Sequence, residues 1–191
     1  MAAEIPLFPL NAVLFPGGLL PLQVFEQRYI AMTKACLREA TSFGVCLIRH
    51  GAEVGAPATP ETLGCTARIV HWDMEKLGVL KIVAQGERRF RVGTTRVQED
   101  GLVVGGVEYL PEAEDAPVPP ELAPCRRLLE RIVAEHGERL FAQPFRLDSS
   151  DWVSARLAEV LPLHASVKQE LLEMDGARRL EALARLLVQE R

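Results

Sequence analysis

Prolines at positions 6, 9, 16 and 21 punctuate an opening stretch, Ile5 to Leu22, that is otherwise almost wholly apolar. Proline lacks a backbone N–H and fixes φ at about −65°, so no helix runs through this stretch. A membrane span or a secretory leader would need such a helix, and a leader would also need a basic start; Met-Ala-Ala-Glu provides none. No other apolar run approaches the ~20 residues that cross a bilayer. The expectation is a cytoplasmic protein without membrane association. The apolar opening either closes a core or presents a loop, and the sequence leaves both open.

Composition narrows the class. The chain has 191 residues, 48% hydrophobic and 25% charged, ordinary values that exclude disordered and collagen-like chains. Its 22 basic and 26 acidic residues give a net charge of −4, which excludes a strongly basic nucleic-acid binder at the level of the whole chain. Residues 1–111 balance 11 basic against 11 acidic, whereas 112–191 hold 11 against 15, so the whole excess lies in the second part. Cys36, Cys46, Cys65 and Cys125 form no C-x-x-C pair, which removes zinc-ribbon and thioredoxin-type sites. Four reduced, mostly buried thiols are expected.

The fold class read from these patterns is α+β. Residues 1–111 form a β-rich part with one helix, 112–120 a proline-rich acidic linker, and 121–191 a helical part. Short runs rich in branched and aromatic residues predict strands over Ser42–Arg49, Ala67–Trp72, Val79–Val83 and Arg89–Val92. Asp100-Gly101 predicts a hairpin leading into Leu102–Leu110. Phe25 to Ala40 reads as the single helix, with Tyr29, Met32, Cys36 and Leu37 on one face. Strands at this spacing suggest a small barrel or sandwich. In the second part an apolar stripe from Leu122 to Val133 stops at Gly137, Asp148 to Asp151 offers caps for a helix that ends before Pro162, and Ser166 with Gln169 matches a capping box. Leu180, Leu183, Ala184, Leu187 and Val188 repeat at the helical period.

Signatures of enzyme chemistry are missing. No G-x-x-x-x-G-K-[ST], no strand-flanked G-x-G-x-x-G and no G-x-S-x-G occurs. His50, His71, His136 and His164 are too scattered for a zinc site. The pairs Gly17-Gly18 and Gly105-Gly106 read as a turn and a bulge. Neither a cofactor nor a metal is expected. The one basic cluster is Arg88, Arg89, Arg91 and Arg96 around Phe90. In an alternating strand Arg89 and Arg91 share one face while Phe90 and Val92 share the other, an outward basic edge over an inward core pair.

One segment does carry a family signature. Ile5-Pro-Leu-Phe-Pro-Leu-Asn-Ala-Val-Leu-Phe-Pro-Gly-Gly-Leu-Leu-Pro-Leu22, followed by Gln-Val-Phe-Glu-Gln-Arg-Tyr29, resembles the start of the substrate-binding N-terminal domain of Lon proteases. Gly44–Ile48, Leu63–Ile69, Val83–Val92, Trp152–Leu163 and Lys168–Leu172 extend the resemblance over most of the chain. It implies a PUA-like pseudo-barrel followed by a helical bundle, and a non-enzymatic module that binds unfolded or partly folded polypeptide or docks a protein partner. The chain ends at Arg191 without the ATPase and Ser–Lys protease domains of a complete Lon, so a stand-alone form is expected, with no catalytic residues to place. The polypeptide-binding candidates are Val13, Leu14, Phe15, Leu19 and Leu20. The signature residues Phe8, Pro9, Phe15, Pro16, Pro21, Phe25, Arg28, Tyr29, Phe90 and Trp152 are expected to specify the fold. The alternative is a PUA-like RNA binder using Arg88, Arg89, Arg91 and Arg96; nucleic acid is not the expected partner.

Overall fold

The proline-rich opening folds as β-strand, which the sequence reading does not anticipate. The computed structural model describes residues 3–112 and 114–189. Strand β1 (Ala3–Leu10) lies between two neighbours, β3 (Phe43–His50) and β6 (Val103–Tyr109). It can hold Pro6 and Pro9 because its two ladders are staggered. Residues 3–7 pair antiparallel with β6 and residues 7–10 pair parallel with β3, so each proline has a strand on one side only. A proline in a doubly paired segment would break a ladder bond. β2 (Leu19–Val24) is an edge strand on β5 (Val79–Val97), with Pro21 opposite Val83.

The sheet order is β2-β5-β4-β3-β1-β6, and β5 also pairs with β6. That last pairing closes β5, β4 (Thr59–Lys76), β3, β1 and β6 into a five-stranded barrel, with β2 attached outside the ring. Alternation along each strand separates two cores. Ile5, Leu7, Cys46, Phe90, Val92, Val103 and Val107 fill the interior. Phe8, Phe43, Val45, Cys65, Leu80, Ile82, Ala84 and Val104 face outward, under helix α1 (Gln27–Glu39), which contributes Tyr29, Ile30, Met32 and Cys36. Phe8 stacks on Tyr29 with ring centroids 4.0 Å apart.

The predicted runs Val79–Val83 and Arg89–Val92 belong to one continuous strand, β5. A β-bulge hides their continuity. Cys65 pairs with Arg89 and Ala67 with Gly86, so Glu87 and Arg88 together oppose Thr66. Thr66 Oγ1 accepts from the Arg88 N–H at 3.1 Å and fills the bulge. One extra residue reverses the parity of the strand. Even positions face the α1 side at Leu80, Ile82 and Ala84, yet they face the barrel interior at Phe90 and Val92.

The interior is narrow, and glycines admit the Phe90 ring. A Cβ on Gly44 would stand 2.6 Å from Phe90 Cζ, and one on Gly64 2.7 Å from the same atom. Gly105 is also a close-approach position, 2.8 Å from Leu7 Cδ1. The bulge expected at Gly105-Gly106 is instead on the partner strand, where Gly93 and Thr94 oppose Gly106. Gly17-Gly18 forms the expected turn, with Gly18 N–H donating to the Phe15 carbonyl at 3.0 Å. Asp100-Gly101 turns β5 into β6 as expected, Gly101 adopting φ +85°.

The chain divides into two compact units, 1–110 and 111–191. The second holds α2 (Ala123–His136), α3 (Ser150–Val160), α4 (Ala165–Glu173) and α5 (Gly176–Gln189). Gly137 ends α2, and Ser149 caps α3 by accepting from the Trp152 N–H at 2.9 Å. α4 departs from the expected capping box. His164 is its N-cap, accepting from the Ser166 N–H through Nδ1, so Ser166 sits inside the first turn. Along α5, Leu180 and Leu183 are fully buried, whereas Val188 is exposed. Cys36, Cys46, Cys65 and Cys125 are free and buried, and burial pushes the Cys46 thiol up to about 12.

The segment read as a solvated linker is largely exposed but is hydrogen-bonded to its own unit. Val118 N–H donates to the Asp148 carbonyl (2.9 Å) and Ser150 N–H to that of Ala116 (2.8 Å). The Asp115 carboxylate accepts from Ser149 Oγ at 2.9 Å and pairs with Arg146 at 2.7 Å. Asp115 thus meets the N-terminus of α3, where backbone N–H groups attract negative charge.

Candidate functional site

An opening in the first unit lies beside β2, a cleft holding roughly 530 Å³ of space. Its base is the β1 and α1 surface at Phe8, Leu10 and Tyr29, and burial raises the Tyr29 phenol above its ordinary range. One wall is the segment Pro21 to Phe25, and the other is the loop at Glu53 and Val54. Phe25 is 50% exposed and Val54 56%, so apolar surface stands at the mouth. A bulky apolar side chain left in water is informative where several converge.

β2 also brings backbone to the cleft. The Gly86 N–H donates to the Gly18 carbonyl at 2.9 Å, which sets the phase of the β2–β5 ladder. Leu20, Leu22 and Val24 turn their backbone groups toward β5, and Leu19, Pro21 and Gln23 turn theirs to the open edge. Pro21 has no N–H to present there, which blunts the edge at its middle.

Arg28 fixes the cleft walls. Only 6% exposed, its guanidinium donates to the Gly55 carbonyl (2.8 Å), the Gly101 carbonyl (3.1 Å) and Glu26 Oε2 (2.9 Å), and it lies 4.7 Å from the Tyr29 ring centroid. One buried cation therefore ties together the start of α1, the 51–58 loop and the β5–β6 hairpin. The five hydrogens of a guanidinium suit it to this role, which lysine could not fill. Glu53 Oε1 accepts from the Asn11 N–H at 2.5 Å and holds the loop against the end of β1.

The sequence-predicted binding residues divide in two. Leu14 is 4% exposed and Phe15 fully buried, so both side chains are packed inside the protein. The Phe15 carbonyl lies 2.2 Å from where a Gly86 Cβ would stand, showing how closely that loop packs on β5. Val13, Leu19 and Leu20 are half-buried, Leu20 resting on the outer core. Among the signature residues, Phe8, Pro9, Phe15, Arg28, Tyr29, Phe90 and Trp152 are buried as expected of fold determinants. Phe25 and Pro21 are exposed and line the cleft instead. Glu53 and Val54 were missed, because the 51–58 loop has no periodicity to reveal which of its side chains face inward.

The arginine cluster keeps the predicted alternation, Phe90 and Val92 inside and Arg91 outside. The guanidinium groups are interleaved with other partners. Arg88 lies 4.5 Å above the Tyr109 ring, Arg96 pairs with Glu4 at 2.7 Å and holds that carboxyl below its ordinary range, and Arg91 stands opposite Glu108. Arg89 is half-buried. These residues form a mixed-charge row, not a continuous basic stripe. A separate apolar group, Val70, Trp72 and Met74, is exposed on the β4–β5 hairpin. No group of metal-ligating side chains occurs among the described residues, and no helix among them is long and apolar enough to cross a membrane.

Comparison with known proteins identifies the architecture. Residues 4–189 match the model of the ATP-dependent protease La (LON) substrate-binding domain. A Lon N-terminal domain protein from Xanthomonas campestris has a solved structure with a TM-score of 0.80 and 39% identity, covering 96% of this chain and 98% of that one. Lon protease of Anaeromyxobacter dehalogenans is 33% identical over 182 residues, covering 90% of this chain and 21% of that protein. Protein cereblon of Danio rerio is 33% identical over 113 residues, covering 57% of this chain and 26% of its own length. The chain thus spans about a fifth to a quarter of these two relatives. With a barrel closed through β5 and β6, a helical second unit and a family match over nearly every residue, the chain belongs to the Lon substrate-binding domain family.

Proposed function

We propose that this protein is a non-catalytic polypeptide-recognition module and that the cleft beside β2 is where it binds unfolded or partly folded chain. The carrying observation is Phe25, a signature residue left half exposed at the mouth of an apolar cleft while most of the other signature aromatics are buried. Recognition of extended chain needs apolar pockets beside an accessible strand edge, and β2 supplies both. The absence of a phosphate-binding loop from the sequence supports a binding role without ATP turnover.

The test is a fluorescence-anisotropy titration with a neutral, permanently unfolded polypeptide. The expected Kd is micromolar or weaker, changing less than about twofold between roughly 50 and 200 mM salt, because apolar burial is nearly insensitive to simple salt at these concentrations. Phe25→Ala, at an exposed position that does not support the core, should weaken binding about fivefold, or ~1 kcal/mol. An unchanged affinity in Phe25→Ala, together with loss of binding in a Trp72→Ala variant, would move the site to the β4–β5 hairpin and refute the assignment.

A further inference from the structure

We infer that the cleft selects extended segments in which an apolar side chain is flanked by lysine or arginine. This rests on the polypeptide-recognition reading and narrows it to a ligand class. Glu26 and Glu53 are the charged residues that line the cleft, and no lysine or arginine lines it. Arg28, which holds Glu26, is buried and directs its donors to the Gly55 and Gly101 carbonyls and to Glu26. An acidic segment entering the cleft would meet carboxylates with no cation among the lining residues, whereas a basic one would meet its complement.

Both carboxylates are also held in position. Glu26 Oε2 accepts from Arg28 at 2.9 Å and from the Gly55 N–H at 3.4 Å, and Glu53 Oε1 accepts from the Asn11 N–H at 2.5 Å. An acceptor already fixed loses little further side-chain freedom when a ligand cation arrives. Glu53 adds net negative charge, because Glu26 is balanced by Arg28.

The strand edge explains why side chains must decide. With Pro21 in the middle of the outward-facing positions, a segment laid along β2 finds N–H donors at Leu19 and Gln23 but none between them. Backbone pairing alone is therefore weak, and discrimination falls to what enters between Phe25 and Val54 and what stands beside Glu53. An apolar side chain fits the first place and a cationic one the second.

The experiment uses the full chain and three labelled nine-residue peptides with one apolar centre, flanked by lysines, serines or glutamates. At about 50 mM salt the lysine-flanked peptide should bind roughly fivefold tighter than the serine-flanked one, and the glutamate-flanked peptide weakest, the size expected of partly exposed ion pairs. Raising salt to about 200 mM should shrink the spread. Glu53→Gln, whose amide oxygen can still accept from the Asn11 N–H, should reduce the lysine-over-glutamate preference to within about twofold. Equal binding of the three peptides, or a preference that survives Glu53→Gln unchanged, overturns the inference and leaves polypeptide recognition standing. If none of the three binds, the recognition reading falls with it.

Discussion

Phe90 shows how one side chain sets conditions for residues far from it in sequence. It is fully buried in the barrel, and Gly44 and Gly64 each approach its Cζ too closely to carry a Cβ. The two glycines differ in what else they touch. The three atoms nearest a methyl on Gly44 are side-chain ends, Phe90 Cζ, Leu7 Cδ2 and Ile5 Cδ1, whereas the nearest to one on Gly64 is the Val45 carbonyl oxygen at 2.5 Å. Gly44→Ala and Gly64→Ala should each destabilise the protein, by about 1–3 kcal/mol or more as overpacking does. Adding Phe90→Leu should recover part of the loss in Gly44→Ala but little in Gly64→Ala, because backbone cannot move aside. Denaturant unfolding of the two double-mutant cycles measures this, and equal recovery at both sites would contradict the assigned contacts.

At the scale of elements, α3 and α4 share a half-buried carboxylate whose titration can be followed. Glu159 receives two contacts from the buried Arg156, at 2.8 and 2.9 Å, and Lys168 Nζ donates to the Glu159 carbonyl at 2.7 Å. Burial pushes the Glu159 carboxyl from 4.5 up to about 7, against the pull of Arg156, Lys168 and Arg179. A folded value above the unfolded one means that the native state holds the proton more tightly. The stabilisation from this group is then complete below about pH 4.5 and is lost as pH rises through about 7. Lys168 is lowered by burial, with Glu159 opposing, so its own effect has the opposite sign and acts at higher pH. Glu159→Gln mimics the neutral acid, and its stability relative to the native chain should therefore rise between pH 5 and pH 8. A Glu159→Gln variant that loses ground at pH 8 would show that the Arg156 pair outweighs burial and that the carboxyl titrates low.

On the scale of the whole molecule, the division at 110/111 suggests that each unit folds alone. The tethered segment makes a sharper statement. A fragment starting at residue 121 lacks the Val118–Asp148 and Ala116–Ser150 backbone bonds, the Pro117 carbonyl that accepts from Ser150 Oγ, and the Asp115 contacts at the start of α3. A fragment of 111–191 should exceed 121–191 in stability by about 2–4 kcal/mol, from four or so hydrogen bonds worth ~1 kcal/mol each. Urea unfolding of the two fragments decides it, and equal midpoints would return 112–120 to the role of a free linker.

Local chemistry was legible wherever a residue's nearest neighbours in sequence decide its state. The Asp100-Gly101 turn, a cap within Asp148–Asp151, the Gly137 stop and the α5 period all depend on bonds spanning a few residues, and each stands where the sequence places it. The α+β class and the family were legible too, because the proline-spaced opening is specific. What the tertiary structure alone decided depends on partners distant in sequence. β1 tolerates two prolines because β6 and β3 take different halves of it, and β5 reads as two runs because a bulge opposite Thr66 reverses its parity. The same holds for the cleft. Leu14, Phe15 and Phe25 are equally apolar in sequence, and packing on β5 buries the first two while the meeting of β2, β1 and the 51–58 loop leaves Phe25 in water. Hydrophobicity fixes that a side chain favours burial, but only the closure of the barrel determines which ones find room.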